Sequence, residues 1–399
     1  MRCVELNKPS VKQSKFILSI IVIAQFCCIS LWFAGNGVMS DLMVVFSLKS
    51  SALGHLTSAV QFGFILGTLI FAILTIADRF SPSKVFFSCA LLGSLFNALV
   101  IWEGNSLASI LLLRFLTGFF LAGIYPVGMK IAADYYDKGL GKSLGFIVGA
   151  LVVGTAFPHL AKGMTGGFHW KYVLLLSSFL SVFGGLLMFT MVSNGPYRKP
   201  GNKLDLSAFF SVFNYKGVRS AAFGYFAHMW EVYAFWAFVP VILKTYAMEH
   251  SGAVFNIPLW SFLVIGIGGL GSVLSGYLAQ TAGTKQVAYI ALLLSCLCCL
   301  VSPLMFEVTS ESLFIAFLLL WGMAVIADSP LFSTLVAQNA SAEIRGTALT
   351  IVNSIGFAIT IISIQLLNVL QDSMNPTHIY TLLALGPILG LLVLYEKKK

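Results

Sequence analysis

Charge is what this chain has least of. Only 10% of its 399 residues are Asp, Glu, Lys or Arg, against about a quarter in soluble domains. Acid is scarcest: 15 Asp and Glu stand against 24 Lys and Arg, and there are 6 His. That shortage excludes a water-exposed surface over most of the molecule. With 58% apolar residues and a mean hydropathy of +0.91, the chain belongs in a membrane. A net charge of +9 does not indicate a nucleic-acid partner. Such binding needs a folded basic face, whereas these bases sit at the ends of apolar runs, where they set orientation and meet anionic headgroups.

A catalytic signature is missing too. No His-Glu-x-x-His occurs, which removes the usual mark of metalloprotease chemistry. Gly139-Leu-Gly141-Lys142-Ser143 ends like a phosphate loop, but Tyr136 stands where the first Gly belongs and an apolar run follows. Cysteine is sparse, and Cys296-x-Cys298-Cys299 lacks the His or second Cys pair of a zinc site. The expectation is a protein that is not an enzyme, with no cofactor, no metal and no disulfide.

Long apolar runs are abundant. Runs of about 20 residues, the length that spans a bilayer, fall at 16–38, 52–77, 84–102, 107–129, 143–165, 170–192, 218–243, 258–280, 286–306, 312–338, 347–370 and 377–395. The first is about twice a signal h-region and no small-residue cleavage site follows, so it reads as a span. Between 193 and 217 lies the longest polar stretch, broken by Pro196, Pro200 and Gly201. It divides the chain into a bundle over 1–192, a linker over 193–217 and a bundle over 218–399.

Alternating sides from the N-terminus gathers nearly all Lys and Arg on one face and leaves Lys49, Lys162, Lys171 and Lys244 on the other. By the positive-inside rule the basic face is cytoplasmic, with both termini inside. An offset of 202 to 204 residues pairs Trp32 with Trp236, Gly118 with Gly322 and Pro126 with Pro330. A constant offset of half the length suggests two parallel repeats related by an axis along the membrane normal.

The segment Gly67 to Val85 runs as an apolar helix into Asp78-Arg79 and is expected to stop at Ser81-Pro82-Ser83-Lys84, because Pro82 lacks an N–H and biases Ser81 away from α. Asp78-Arg79-Phe80 with Lys84 resembles the turn between the second and third spans of the major facilitator superfamily. Arg114-x-x-x-Gly118-x-x-x-x-Gly123-x-x-Pro126 resembles that family's fourth-span motif. The second-half counterpart of the turn carries Gln280 in place of the acid, and the fifth span lacks the adjacent Gly-Pro typical of antiporters.

The resemblance implies an all-α membrane protein: twelve transmembrane helices in two parallel six-helix repeats around a cavity that opens alternately to each side. It further implies a small-molecule solute, a proton or other coupling ion, a lipid bilayer, a monomer, and a multi-pass place in the cell (inner) membrane. Asp78, Arg79 and Lys84 in the turn, and Gly118, Pro126 and Pro330 at helix breaks, become candidates for gating.

An ionisable side chain inside a span costs about 2.5–3.5 kcal/mol on insertion scales, so each one calls for a reason. Arg114, His228, Glu231 and Asp328 stand well inside. Arg114 either snorkels to the headgroups or faces the cavity, binding an anion or pairing with a proton-carrying acid. His228 and Glu231 are i and i+3 and share a helix face, so Glu231 reads either as a proton carrier or as half of a structural Glu–His pair. Asp328 precedes Pro330, which should kink the tenth span. Gln25, Asn36 and Asn353 are neutral candidates for the same cavity, and Trp32, Trp236 and Tyr125 are candidate aromatic walls.

With no complete phosphate loop, energy must come from an ion gradient or from the solute's own gradient. The leading expectation is a proton-coupled secondary transporter of a small polar or anionic solute. The alternatives are an efflux pump for amphipathic compounds and a non-transporting sensor or assembly factor on the same scaffold.

Overall fold

The computed structural model describes residues 11–136, 140–164, 169–198, 212–250, 255–341 and 344–395, with side chains from 16 and from 143 in the first two segments. The terminal segments, most of the 193–217 linker and residues 137–139 lie outside the described residues, while Leu140, Gly141 and Lys142 fall in the first turn of a helix rather than in a turn.

Among the described residues, twelve longer helical segments follow one another: α1 (Val11–Ile29), α2 (Ala52–Ile73), α3 (Pro82–Leu99), α4 (Leu107–Tyr135), α5 (Leu140–Met164), α6 (Trp170–Met191), α7 (Lys216–Glu249), α8 (Ile257–Ala282), α9 (Thr284–Glu307), α10 (Glu311–Asn339), α11 (Arg345–Leu370) and α12 (Ile379–Leu394). Ten of them are long and apolar enough to cross a membrane, and α1 and α12 are apolar but shorter. No strand occurs among the described residues. The reason is physical: in lipid a helix satisfies its backbone within the segment.

The halves repeat in their contacts as well as their order. Gly118 of α4 lies against the Val60 carbonyl of α2, and 204 residues on, Gly322 of α10 lies against the Val264 carbonyl of α8. Gly67 meets Phe119 in the first half as Gly271 meets Met323 in the second. At each of these four positions a Cβ would strike a neighbouring backbone atom, so small residues here allow the close approach on which membrane helices rely.

Two long helices are interrupted at matching places. The α4 segment is helical over Leu107–Leu121 and again over Tyr125–Tyr135, with Pro126 at the start of the second piece. The α10 segment breaks at Asp328, with Pro330 in the first turn of Ser329–Asn339. Pro is accommodated there because the first N–H groups of a helix have no intrahelical partner.

Two details differ from the sequence-based expectation. The first span is not one continuous helix over 16–38: α1 ends at Ile29 and the chain continues in Ala34–Gly37 and Met39–Val45. The helix entering Asp78 also breaks, at Thr75, whose φ of 50° is left-handed. One isolated turn, Ile76–Arg79, then leads through extended Phe80 and Ser81 to Pro82 at the start of α3.

On the face opposite the basic one, the halves are joined. Ser50 donates to Asp372, the Gly54 N–H to Asn368 Oδ1, Gln365 to Ser58 and Asn368 to the Ser51 carbonyl, all between the start of α2 and the end of α11. Gly163 near the end of α5 packs on Leu259 near the start of α8. Towards the basic face, a Cβ at Gly276, Gly283 or Gly346 would meet no atom within 4 Å. The sparse-face contacts hold the two halves together.

Candidate functional site

Where the halves meet at mid-height, aromatic rings form a layer. Trp32, in the turn after α1, lies 4.7 Å from Phe64 of α2, 5.7 Å from Tyr233 of α7 and 5.7 Å from Phe357 of α11. Phe64 and Phe357 are 4.6 Å apart, and Tyr233 also touches Trp236 at 5.2 Å. Trp32 and Trp236 come from equivalent positions in the repeats. Offset and edge-on ring pairs of this kind add to the stabilisation from burial alone.

The break in α1 that frees Trp32 has a stated cause. The Leu31 and Trp32 carbonyls each accept from Arg114 Nη2, at 2.9 and 2.6 Å, and Leu31 otherwise receives only a long turn contact from the Ala34 N–H at 3.4 Å. Arg114 Nη1 donates to Asn97 Oδ1 of α3 at 2.8 Å, and Asn97 Nδ2 donates in turn to the Leu174 carbonyl and Ser178 of α6. Arg114 is 1% exposed. It does not snorkel to headgroups, and no acid is among its hydrogen-bond partners in the described residues. Instead it ties four helices of the first half together through charge-assisted hydrogen bonds, which are the stronger kind.

The acids lie in the second half. Glu231 Oε1 accepts from Ser295 Oγ at 2.6 Å, Trp321 Nε1 at 2.7 Å and Cys299 Sγ at 3.2 Å. These donors come from α9 and α10, so Glu231 sits inside the second bundle with no cation among its hydrogen-bond partners. His228 does not pair with it. His228 Nδ1 instead stands 2.8 Å from Asp328 Oδ1, with both side chains buried. The two groups share a helix face, but the break at Asp328 brings the competing acid into range. Asp328 is therefore held beside α7, and the freed Ile326 carbonyl lies 3.5 Å from Ser272 Oγ of α8.

The neutral candidates divide. Asn36 donates to Thr57 of α2 at 2.8 Å. Gln25 is fully buried on α1, against Gly128 of α4. Asn353 is half-buried on α11.

The turn residues stand apart from this centre. Asp78 Oδ1 is 2.8 Å from Lys130 Nζ of α4, and Lys130 is also 4.0 Å from Asp134. Arg79 Nε donates to Thr75 Oγ1, and Lys84 is exposed on the first turn of α3. Arg198, just after α6, donates to the Asp78 and Phe80 carbonyls, and Ser83 donates to the Val192 carbonyl. The turn is thus bound to its own half.

Sequence reasoning missed Asn97, Lys130, Ser295, Cys299 and Trp321. Lys130 had a signal in its i, i+4 spacing from Asp134. Ser295 and Cys299 are likewise i and i+4 on α9, which marks one face but does not say that an acid from α7 meets it.

Two six-helix repeats meeting in an aromatic layer, with ionisable groups buried inside apolar helices, define a polytopic helical membrane fold. The chain belongs to the Major Facilitator Superfamily, whose family model matches residues 21–364. Among solved structures, it is similar to the proton:xylose symporter XylE bound to 6-bromo-6-deoxy-D-glucose, at 14% identity and a TM-score of 0.76, covering 96% of this chain and 95% of that one. It is also similar to a bacterial homologue of the human lysosomal transporter Spinster, inward-facing and unoccupied, at 15% identity and a TM-score of 0.68, covering 97% and 95%. Among curated proteins, efflux pump FUBT of Fusarium oxysporum is 27% identical over 164 residues, 39% of this chain. The chain spans about a quarter, 27%, of that relative's length.

Proposed function

We propose that this protein is a proton-coupled secondary transporter that moves a small polar solute across the membrane by alternating access. The observation that carries the reading is the pair of buried acids in the second half. Glu231 is held by three uncharged donors, and Asp328 lies 2.8 Å from His228 without a hydrogen bond to Oδ1 among the described residues. A buried carboxylate without a strong cation is stable only while its hydrogen bonds are kept or a proton is taken up. Rearrangement of α7 against α9 and α10 would change those bonds and so exchange a proton. The gate on the sparse face is then the α2–α11 contact, and Asp78 with Lys130 anchors the basic-face turn. The chain acts as a monomer in a cell (inner) membrane with both termini cytoplasmic, the orientation favoured by the distribution of Lys and Arg.

In proteoliposomes, uptake or counterflow should depend on an imposed pH gradient, and Glu231→Gln should remove that dependence while leaving exchange. Transport indifferent to both the gradient and the substitution would sink the coupling. A second reading, export of amphipathic compounds, is favoured by the efflux pumps among the curated relatives. Loss of the protein should then sensitise cells to several unrelated compounds, and unchanged resistance across a broad panel would count against it.

A further inference from the structure

Independently of the transport reading, we propose that the seam between α5 and α8 holds an acyl chain from the sparse-face leaflet of the bilayer. A cavity of about 380 Å³ opens there, bounded by Val153 of α5, by Phe262, Leu263, Gly266 and Leu270 of α8 and by Leu319 of α10. It lies between the halves, since Val153 belongs to the first and the other walls to the second. Above and below it the seam is shut. A Cβ added at Gly163 would stand 3.0 Å from the Leu259 nitrogen, and one at Gly269 would stand 3.3 Å from the Gly149 carbonyl oxygen. At Gly266, between these two contacts, the same atom would meet nothing closer than the Phe262 ring at 3.7 Å.

Where the groove opens decides what fills it. Leu263 and Leu270 are 37% and 62% exposed, and they stand about two helical turns apart on one face of α8. The mouth therefore points sideways out of the bundle, on a helix long and apolar enough to cross a membrane. Counted from Ile257 at the sparse face, residues 262–270 lie about 8–20 Å along the helix at 1.5 Å per residue. That depth runs from the sparse-face leaflet to about the midplane of a hydrocarbon core about 30 Å thick. Water is a poor occupant, because a held water needs about two to four polar partners and every lining side chain is apolar. A void is no better. Its walls forfeit dispersion contacts on one side, and packed proteins keep few voids larger than a water. What remains is the solvent at that depth, which is hydrocarbon chain.

The volume suits one chain. At the ~30 Å³ that a water takes in the liquid, 380 Å³ holds roughly a dozen methylene-sized groups, most of one acyl chain rather than two. Seated so, the chain touches both halves, and the bilayer supplies part of the contact between them. Gly266 keeps the seat open. The atoms nearest to a Cβ added there are the Phe262 ring and, at 3.9 Å, Ala156 Cβ of α5. A larger residue at this position would fill the groove from within without striking backbone, and would take the place of the chain.

The test uses the full-length protein in nanodiscs of phosphatidylcholine that carries a diazirine midway along one acyl chain, with labelled residues mapped by peptide mass spectrometry after illumination. Leu274 and Leu278, 54% and 57% exposed further along α8, report ordinary contact with lipid. Phe262 and Leu319 are only half-exposed, yet they should be labelled more densely than that pair, and Gly266→Leu should bring them below it. In detergent, added phosphatidylcholine should raise the melting temperature of the natural chain by binding its folded state. Gly266→Leu should melt higher without lipid and gain less from it. If Gly266→Leu does not fold, Gly266→Ala, whose methyl makes only ordinary contacts, should move both readouts the same way by less. Label no denser at Phe262 and Leu319 than at Leu274 and Leu278 would overturn the proposal. So would label, or a gain from lipid, that neither substitution changes. A dimer in the nanodisc with residues 262–270 shielded from label would give the groove to a second copy of the chain, and would overturn it too.

Discussion

The two halves of this molecule share a backbone plan and treat buried charge in opposite ways. In the first half, the deeply buried Arg114 is surrounded by acceptors from the turn after α1 and from α3 and is held rigidly. In the second, two acids and one histidine are met by side chains whose own positions depend on the break in α10 and the packing of α9. A saturated ion stabilises one structure, whereas a sparsely held acid can differ between two. The repeat therefore supplies the architecture, and its departures from symmetry divide stability from response.

The sharpest way to break this comparison is Arg114→Leu. It leaves Asn97 Oδ1 and two carbonyls without their donor, so it should destabilise the protein by about 3–5 kcal/mol, read by unfolding of the purified protein. A normally stable variant that merely lost transport would place Arg114 in the solute site and erase the contrast. Next come Gly118→Ala and Gly322→Ala, which drive a methyl into Val60 and Val264 backbone respectively. Each should cost about 1–3 kcal/mol by overpacking, and near-equal values would confirm the repeat energetically. A severe loss at one and none at the other would show that only one half needs the close approach.

Glu231→Gln should change stability by under ~1 kcal/mol, within the range of mild substitutions, while abolishing pH-driven accumulation in vesicles. Destabilisation comparable to Arg114→Leu would make Glu231 a structural acid too. The smallest effect is expected from Asp78→Asn, which removes a half-exposed ion pair with Lys130 worth about 0.2–1 kcal/mol. Exchange should slow with solute affinity unchanged; equal loss of both would point to a folding role.

Much of the fold was legible because bilayer length, charge at helix ends and Gly or Pro at breaks are local properties. The spans, their two-fold repeat and the interruption before Pro330 all follow from such features. The site was less legible, since each key contact joins residues far apart. Nothing within three or four positions of Arg114 says that it will bind carbonyls 82 and 83 residues earlier. The i, i+3 spacing of His228 and Glu231 invited a pairing that tertiary structure overrules, because Asp328 arrives from 100 residues away and three donors occupy Glu231. The break in the first span was hidden for the same reason, as its cause lies on α4.

The four hydrogen bonds joining α2 to α11 on the sparse face set a thermodynamic scale. At about 0.5–1.5 kcal/mol net each, together they favour the closed sparse face by roughly 2–6 kcal/mol, a population ratio of about 30 to 3 × 10⁴. Reversing a 99:1 bias takes a differential affinity of about 10⁴ between the two states. A solute binding both states equally would therefore leave the resting population untouched at any concentration, and mutations at Ser50, Gln365 or Asn368 would shift where that population lies without touching the solute at all.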